Sequence, residues 1–306
     1  MNNFSTYLVL FLKGMAMGAA DVVPGVSGGT IAFISGIYEE LLRSIRACTP
    51  LALVSLFRDG PRVFWRRING TFLVVLFSGI LLSILTLAKF ITHFLHEHPL
   101  LLWSFFFGLI VGSIVLIWQQ LEHKSVWEYL SLLSGLCAAL AAAFAPPVQP
   151  EPTFLSVFGA GMLAICAMIL PGISGSFILL LLGMYSVILG AISRADLSLL
   201  AIFSLGCVVG LMVFSRFLSW LLKRFYGVTL SVLTGFLAGS LVMVWPWKYS
   251  TLGTDKEYAD ALHLLLPSQY EQAAGDAQLF AVLSLMAVGF AVVIILEYIG
   301  NKRAPL

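Results

Sequence analysis

Two short stretches hold the residues best suited to chemistry, and they are copies of each other. Around Asp21 the chain reads D-V-V-P-G-V-S-G-G-T, which contains Pro24, Gly25, Ser27, Gly28, Gly29 and Thr30. Around Leu170 it reads M-I-L-P-G-I-S-G-S-F, which contains Pro171, Gly172, Ser174, Gly175 and Ser176. A Pro-Gly pair cannot continue a helix, because proline lacks a backbone donor and glycine favours non-helical angles. A helix that restarts after the Ser-Gly pair offers unpaired amides and a positive dipole end. Gly25, Gly28 and Gly29 in the first copy, with Gly172 and Gly175 in the second, let a ligand approach the backbone. Ser27, Thr30, Ser174 and Ser176 add hydroxyl donors. This combination suits a phosphate or carboxylate. The competing reading is a hinge, or tight packing of small residues between helices.

Three ionisable residues extend that site. Lys89 and Arg216 lie in apolar stretches at equivalent positions, 127 residues apart. A cation inside a membrane span is costly, which makes it a candidate for binding an anion. Arg suits phosphate through its forked donors; Lys89 is close enough to its span's end to snorkel instead. Asp21 precedes the first break where the second copy has Met168. It is a candidate for a coupling proton or for pairing with Lys13, with a capping carboxylate as the alternative. His93, His96 and His98 cluster in one turn, where metal binding or pH sensing competes with simple solvation. The four cysteines, Cys48, Cys137, Cys166 and Cys207, show no metal spacing and read as small buried hydrophobes. No metal, cofactor or catalytic residue is expected, and no nucleic-acid partner. The P-loop signature G-x-x-x-x-G-K-[ST] is missing, so ATP is not the expected drive.

The elements that position these residues are set by composition. Of 306 residues, 60% are hydrophobic and 10% charged, and mean hydropathy is +0.99. Soluble domains carry about 25% charge, so this is a polytopic membrane protein, all-α in class. Residues 4–20 and 31–42 flank the first break, and each is short or glycine-interrupted for a span of ~20 residues. A re-entrant helical hairpin is therefore preferred over two complete spans. Spans follow at about 71–95 and 100–120, then an Ala-rich one at 126–145. The second broken hairpin runs from about 153 to 192, with spans at about 199–222 and 229–245. A polar loop covers 246–277, and a last span 278–299.

The duplication reaches beyond the hairpins. At a spacing of 147, Gly14 and Met15 pair with Gly161 and Met162, Gly36 with Gly183, and Tyr38 with Tyr185. At a spacing of 127, Gly79 pairs with Gly206, Gly108 with Gly235, Gly112 with Gly239, and Trp118 with Trp245. Each repeat is a hairpin plus two spans: the first at about 4–121, the second at about 153–247. An unpaired linking helix at 126–145 then inverts the second relative to the first, the architecture of many transporters with midplane sites. Charge agrees. The loop 43–69 holds Arg43, Arg46, Arg58, Arg62, Arg66 and Arg67. Placing it in the cytoplasm also puts Lys124, Lys223, Arg224, Lys302, Arg303 and both termini there, as the positive-inside rule requires. Loop 246–277 then faces outward.

The run F-L-K-G-M-A-M-G-A-A-D-V-V-P-G-V-S-G-G-T-I-A-F-I-S-G-I-Y-E-E-L-L, Phe11 to Leu42, with P-G-I-S-G-S at 171–176, resembles the two motifs of the PopT-type undecaprenyl phosphate translocases. The resemblance covers essentially the whole chain. It implies a multi-pass protein of the bacterial inner membrane that returns undecaprenyl phosphate from the outer to the inner leaflet for cell-wall synthesis. It leaves a proton gradient as the candidate drive, and a homo-oligomer is compatible with it. Two other classes compete. The motifs also look like the P-G-x-S-R-S loop of undecaprenyl-diphosphate phosphatases, but Gly28 and Gly175 replace its arginine. Without that cation a pyrophosphate loses much transition-state stabilisation. The third class is a transporter or channel for small anions.

Overall fold

The structure is a computed structural model of the chain that describes residues 3–21, 27–121, 124–145, 151–249, 263–273 and 275–301. The first broken copy comprises α1 (Asn3–Asp21), α2 (Gly28–Ile34) and α3 (Tyr38–Ala47). The stretch read as a basic loop holds two further helices, α4 (Pro50–Arg58) and α5 (Pro61–Arg67). The long helices α6 (Gly70–Glu97), α7 (Pro99–Gln120) and α8 (Val126–Ala143) follow. The second broken copy is α9 (Phe154–Ile169), α10 (Gly175–Leu181) and α11 (Tyr185–Ser193), and α12 (Leu197–Arg224) and α13 (Tyr226–Ser240) complete it. The two-residue strands β1 (Lys248–Tyr249) and β2 (His263–Leu264) pair antiparallel, and α14 (Pro267–Ala273) and α15 (Leu279–Asn301) end the chain. The span expected to reach Trp245 stops at Ser240, where residues 241–244 form turns.

Local sequence explains where these helices start and stop. Ser125 and Glu128 form a capping box on α8, Thr153 caps α9 and Asp196 caps α12, each satisfying amides that a helix start leaves unpaired. Pro99 opens α7 at a position where its missing N–H costs nothing. The repeat-related glycines Gly36 and Gly183 end α2 and α10 with φ of 72° and 63°. Around each, the same pair of hydrogen bonds closes the last turn: Ile37 N to Ala32 O and Gly36 N to Phe33 O, then Met184 N to Leu179 O and Gly183 N to Leu180 O. This cap needs a left-handed residue, which glycine supplies without strain.

Four described helices, within α6, α7, α8 and α12, are long and apolar enough to cross a membrane, or up to five if α10 and α11, bent by 109°, count as one span. Large side chains such as Phe77, Leu85, Val213, Phe217 and Trp220 stand exposed on them. Apolar exposure on this scale marks a surface made for lipid. The cysteines do not match the expectation of burial: Cys48 and Cys137 are exposed and Cys166 and Cys207 half-buried. In a lipid-facing helix an apolar residue has no need to point inward.

The chain divides into two compact units, residues 1–91 with 146–230, and residues 92–145 with 231–306. In the first, α1 meets α6 and α9 meets α12 backbone to backbone. A Cβ added to Gly14 would stand 2.3 Å from Leu76 O, and one on Gly161 would stand 2.4 Å from Phe203 O. The reciprocal glycines repeat the pattern: Gly79 against Phe11 O at 2.3 Å, Gly206 against Phe158 O at 2.2 Å. These are the same two contacts made twice, at the spacings 147 and 127. Small residues that let helix backbones touch are the usual means of packing helices in lipid.

The second unit repeats itself in the same way. Gly108 meets Met286 O and Gly289 meets Phe105 O between α7 and α15; Gly235 meets Leu132 O and Gly135 meets Val232 O between α13 and α8. Helix α8, expected to be an unpaired link, therefore has a counterpart in α15 at a spacing of 154. Only Gly135 and Gly289 carry that correspondence in sequence, which is why it escapes a reading of the residues. A tryptophan cluster anchors the end of this unit. Trp247 Nε1 donates to Ala277 O at 2.9 Å and Trp245 Nε1 to Leu265 O at 3.0 Å, which gives each indole N–H a partner.

Candidate functional site

The first unit brings the two motif copies face to face, and each satisfies the other. Helix α9 runs to Ile169 and is stopped by Pro171, so its last carbonyls lack the amides a longer helix would supply. Ser27 Oγ donates to Met168 O at 2.8 Å, and Tyr38 Oη donates to Ile169 O at 3.1 Å. In return, Gly172 N, held at a φ of 90°, donates to Thr30 Oγ1 at 2.9 Å. Ser27, Thr30, Gly28 and Gly29 are buried, and so is Tyr38. A Cβ on Gly29 would stand 2.7 Å from the carbonyl oxygens of both Met168 and Ile169. Gly29 is glycine because the other copy's backbone passes there.

The amide end of α2 is also occupied. Asp21, the last residue of α1, accepts from Gly28 N at 2.7 Å, and Ser27 Oγ accepts from Gly29 N at 3.1 Å. A carboxylate at a helix start is favoured by unpaired amides and dipole together. Gly28 makes room for it, since a Cβ there would stand 2.6 Å from Asp21 Oδ2. Lys13, a candidate partner for Asp21, instead donates from Nζ to Ser35 O at 2.6 Å, at the other end of α2. A cation there complements the negative helix end. The short helix α2 is thus held by Asp21 at its start and Lys13 at its finish.

The donors of the first motif are therefore taken up within the chain. In this conformation Ser27, Gly28, Gly29 and Thr30 are engaged with the chain itself. Gly25, with Pro24, lies outside the described residues. In the second copy, Ser174 precedes α10 without capping it and shares a 2.7 Å hydrogen bond with Ser176. Gly175 lets α10 press on α9, with Ala164 O 2.8 Å from where a Cβ would sit. Arg216 is exposed on α12 next to the exposed Phe217 and Trp220, away from the buried face formed by Ser215, Leu218 and Ser219. Lys89 lies in α6, and its side chain falls outside the description. His93 and His98 are exposed, and the side chain of His96 is also outside it. Among the described residues, no group of three or more His, Cys, Asp or Glu is placed to hold a metal.

Beside the joined motifs lies a cavity of about 180 Å3, walled by Met17, Asp21, Gly28, Tyr38, Ile165 and Met168 among others. Asp21 is the charged residue of an otherwise apolar lining. A small apolar space with one carboxylate can seat hydrocarbon and handle a proton; it opposes an anion. The role of Tyr38 was not anticipated, although its pairing with Tyr185 was. The two diverge in the fold, Tyr38 buried on Ile169 O and Tyr185 exposed.

Known proteins resemble the chain over most of its length. The VCA0040-like family, described as undecaprenyl phosphate translocase-like, matches residues 17–262. A polyprenyl-phosphate transporter of Vibrio cholerae serotype O1 is 48% identical over 301 residues, which is 97% of this chain and 98% of the relative. A polyprenyl-phosphate transporter of Staphylococcus aureus is 33% identical over 253 residues, 77% of this chain and 85% of that one. No solved structure matches.

Proposed function

The chain belongs to the undecaprenyl phosphate translocase-like family, and on that premise we propose that it carries undecaprenyl phosphate from the outer to the inner leaflet of the bacterial cytoplasmic membrane. There the lipid is reused in cell-wall polymer synthesis. The observation that carries this reading is the end-to-end match to a protein named as a polyprenyl-phosphate transporter. The work is movement, with no bond made or broken. A phosphate cannot cross hydrocarbon unaided, whereas a prenyl tail can remain in lipid throughout.

The two repeats lie inverted in this reading, with both termini and the arginines of α3 to α5 in the cytoplasm. The hydrogen bonds of Ser27, Thr30 and Tyr38 between the copies then act as a latch. Each contributes only about 0.5–1.5 kcal/mol net, so a second state in which the copies part is within reach of a bound ligand. In that state Ser27, Gly28, Gly29, Thr30, Gly172, Ser174, Gly175 and Ser176 turn their donors to the headgroup, with Gly25 alongside, and Arg216 and Lys89 attract it at the lipid edge. Asp21 couples the change to protons. Protonation weakens its hold on Gly28 N and frees the start of α2.

The test is transport of a fluorescent polyprenyl phosphate across proteoliposome membranes. Protein-dependent movement of the phosphate, and none of a fluorescent phosphatidylcholine, supports the reading. Movement no faster than in empty vesicles, or release of inorganic phosphate, rules it out.

A further inference from the structure

A second cavity, of about 330 Å3, opens between α3 and the end of α12 in the same unit. Its volume falls in the ~300–1,000 Å3 range of small-ligand sites. Arg43, Arg46 and Lys223 line it, together with Ser219, Tyr226 and a single carboxylate, Glu39. Ser219 is buried, Arg46 is half-buried, and Arg43 and Lys223 are exposed. No described residue forms an ion pair with any of the three cations. Three like charges converge on one concave space with one carboxylate to offset them, which costs energy unless an anion enters.

Helix α3 separates this cavity from the apolar one beside Asp21. Tyr38, Leu41, Leu42 and Ile45 face the apolar cavity, while Glu39, Leu42, Arg43 and Arg46 face the basic one. Each set follows helical spacing, and Leu42 belongs to both. The two cavities therefore adjoin across one leucine. One is basic; the other is apolar and lies among the motif helices.

We propose that Arg43, Arg46 and Lys223 bind a phosphomonoester dianion, and that the prenyl chain bearing it runs past Leu42 into the apolar cavity. The guanidinium forks of Arg43 and Arg46 match phosphate oxygens in pairs, and Lys223 adds a point charge. This rests on the proposed cargo and adds a headgroup contact beyond the glycine motifs, at the end of the path. The trio also stands outside the internal duplication. The equivalent positions at spacings of 147 and 127 are Gly190, Ser193 and His96. One end of the path is thus built to hold phosphate and its counterpart is not. By the charge rule that end is cytoplasmic, so the site receives the headgroup on arrival.

The test measures equilibrium binding of farnesyl monophosphate, farnesol and inorganic phosphate to the whole protein in nanodiscs. Farnesyl monophosphate should bind more tightly than either of the others, and added salt should weaken it. Arg43→Gln, Arg46→Gln and Lys223→Gln should each weaken it by about tenfold or more, while Arg62→Gln on α5 leaves it unchanged. Arg46→Lys, which keeps the charge, should weaken it less than Arg46→Gln and serves if the glutamine variant misfolds. Salt-independent binding, or wild-type affinity in the Arg43→Gln/Arg46→Gln double variant, overturns the site and leaves the proposed cargo standing. If inorganic phosphate binds through the same three residues and farnesyl monophosphate binds no better, the phosphate site stands and the lipid reading falls.

Discussion

Thr30 Oγ1 accepts a hydrogen bond from Gly172 N at 2.9 Å, across 142 residues of sequence. Both residues are buried. Thr30→Val keeps the shape and removes the acceptor, leaving a buried amide unpaired at a cost of about 1–3 kcal/mol. Thermal unfolding in detergent should show that loss, and Thr30→Ser should restore most of it. Equal stability of Thr30→Val and the wild type would mean that this bond does not hold the two copies together.

The glycines at helix contacts give a second expectation. Gly14→Ala and Gly161→Ala place a Cβ within 2.4 Å of a backbone carbonyl oxygen of the facing helix, which cannot yield without moving that helix. Overpacking of this kind costs about 1–3 kcal/mol. Gly159→Ala meets nothing within 4 Å and should be neutral or stabilising by up to about 1 kcal/mol. A melting series in which all three variants behave alike contradicts the contacts described.

Asp21→Asn tests the proposed coupling. Its amide oxygen still accepts from Gly28 N, so the fold and lipid binding should persist. Transport in proteoliposomes should lose its response to an imposed pH difference. Should the variant respond as the wild type does, Asp21 is a helix cap and nothing more.

Lys248 carries a pH dependence of stability. Its Nζ lies 3.3 Å from the centre of the Trp103 ring and donates to Met243 O. Burial pushes the ammonium from its usual value of 10.5 down to about 7. Between those values the unfolded chain holds a proton that the folded chain lacks, so stability rises with pH through that window and falls as pH drops toward 7. Lys248→Met should therefore raise the melting temperature more at pH 7 than at pH 10. The same gain at both values would show that the ring face and the carbonyl keep the ammonium charged.

The sites of helix breakage were legible in the residues themselves. Pro24-Gly25 and Pro171-Gly172 interrupt a helix by their own chemistry, and Gly36 and Gly183 could be matched as a pair before their left-handed geometry was known. The membrane class followed from composition, and the pairs Gly14 with Gly161 and Gly79 with Gly206 prove to be the reciprocal contacts of α1 with α6 and α9 with α12. These properties are local or periodic, so a linear reading finds them.

What satisfies the broken backbone is a different kind of question. The residues say that Met168 O and Ile169 O lack helical partners and that Ser27 and Tyr38 offer hydroxyl donors. They do not say that these groups lie within 3.1 Å of one another. From sequence a helix start looks open to any anion; only the fold shows that Asp21 fills it. Likewise Arg43 and Arg46 read as loop charges until α3 sets them, one helical turn apart, against Lys223 at the end of α12. Hydrogen bonds and charges act over a few ångströms, and which residues come within that range is decided by helix packing. Helix packing in turn rests on glycines too few to reveal, in the case of α8 and α15, that the two helices correspond.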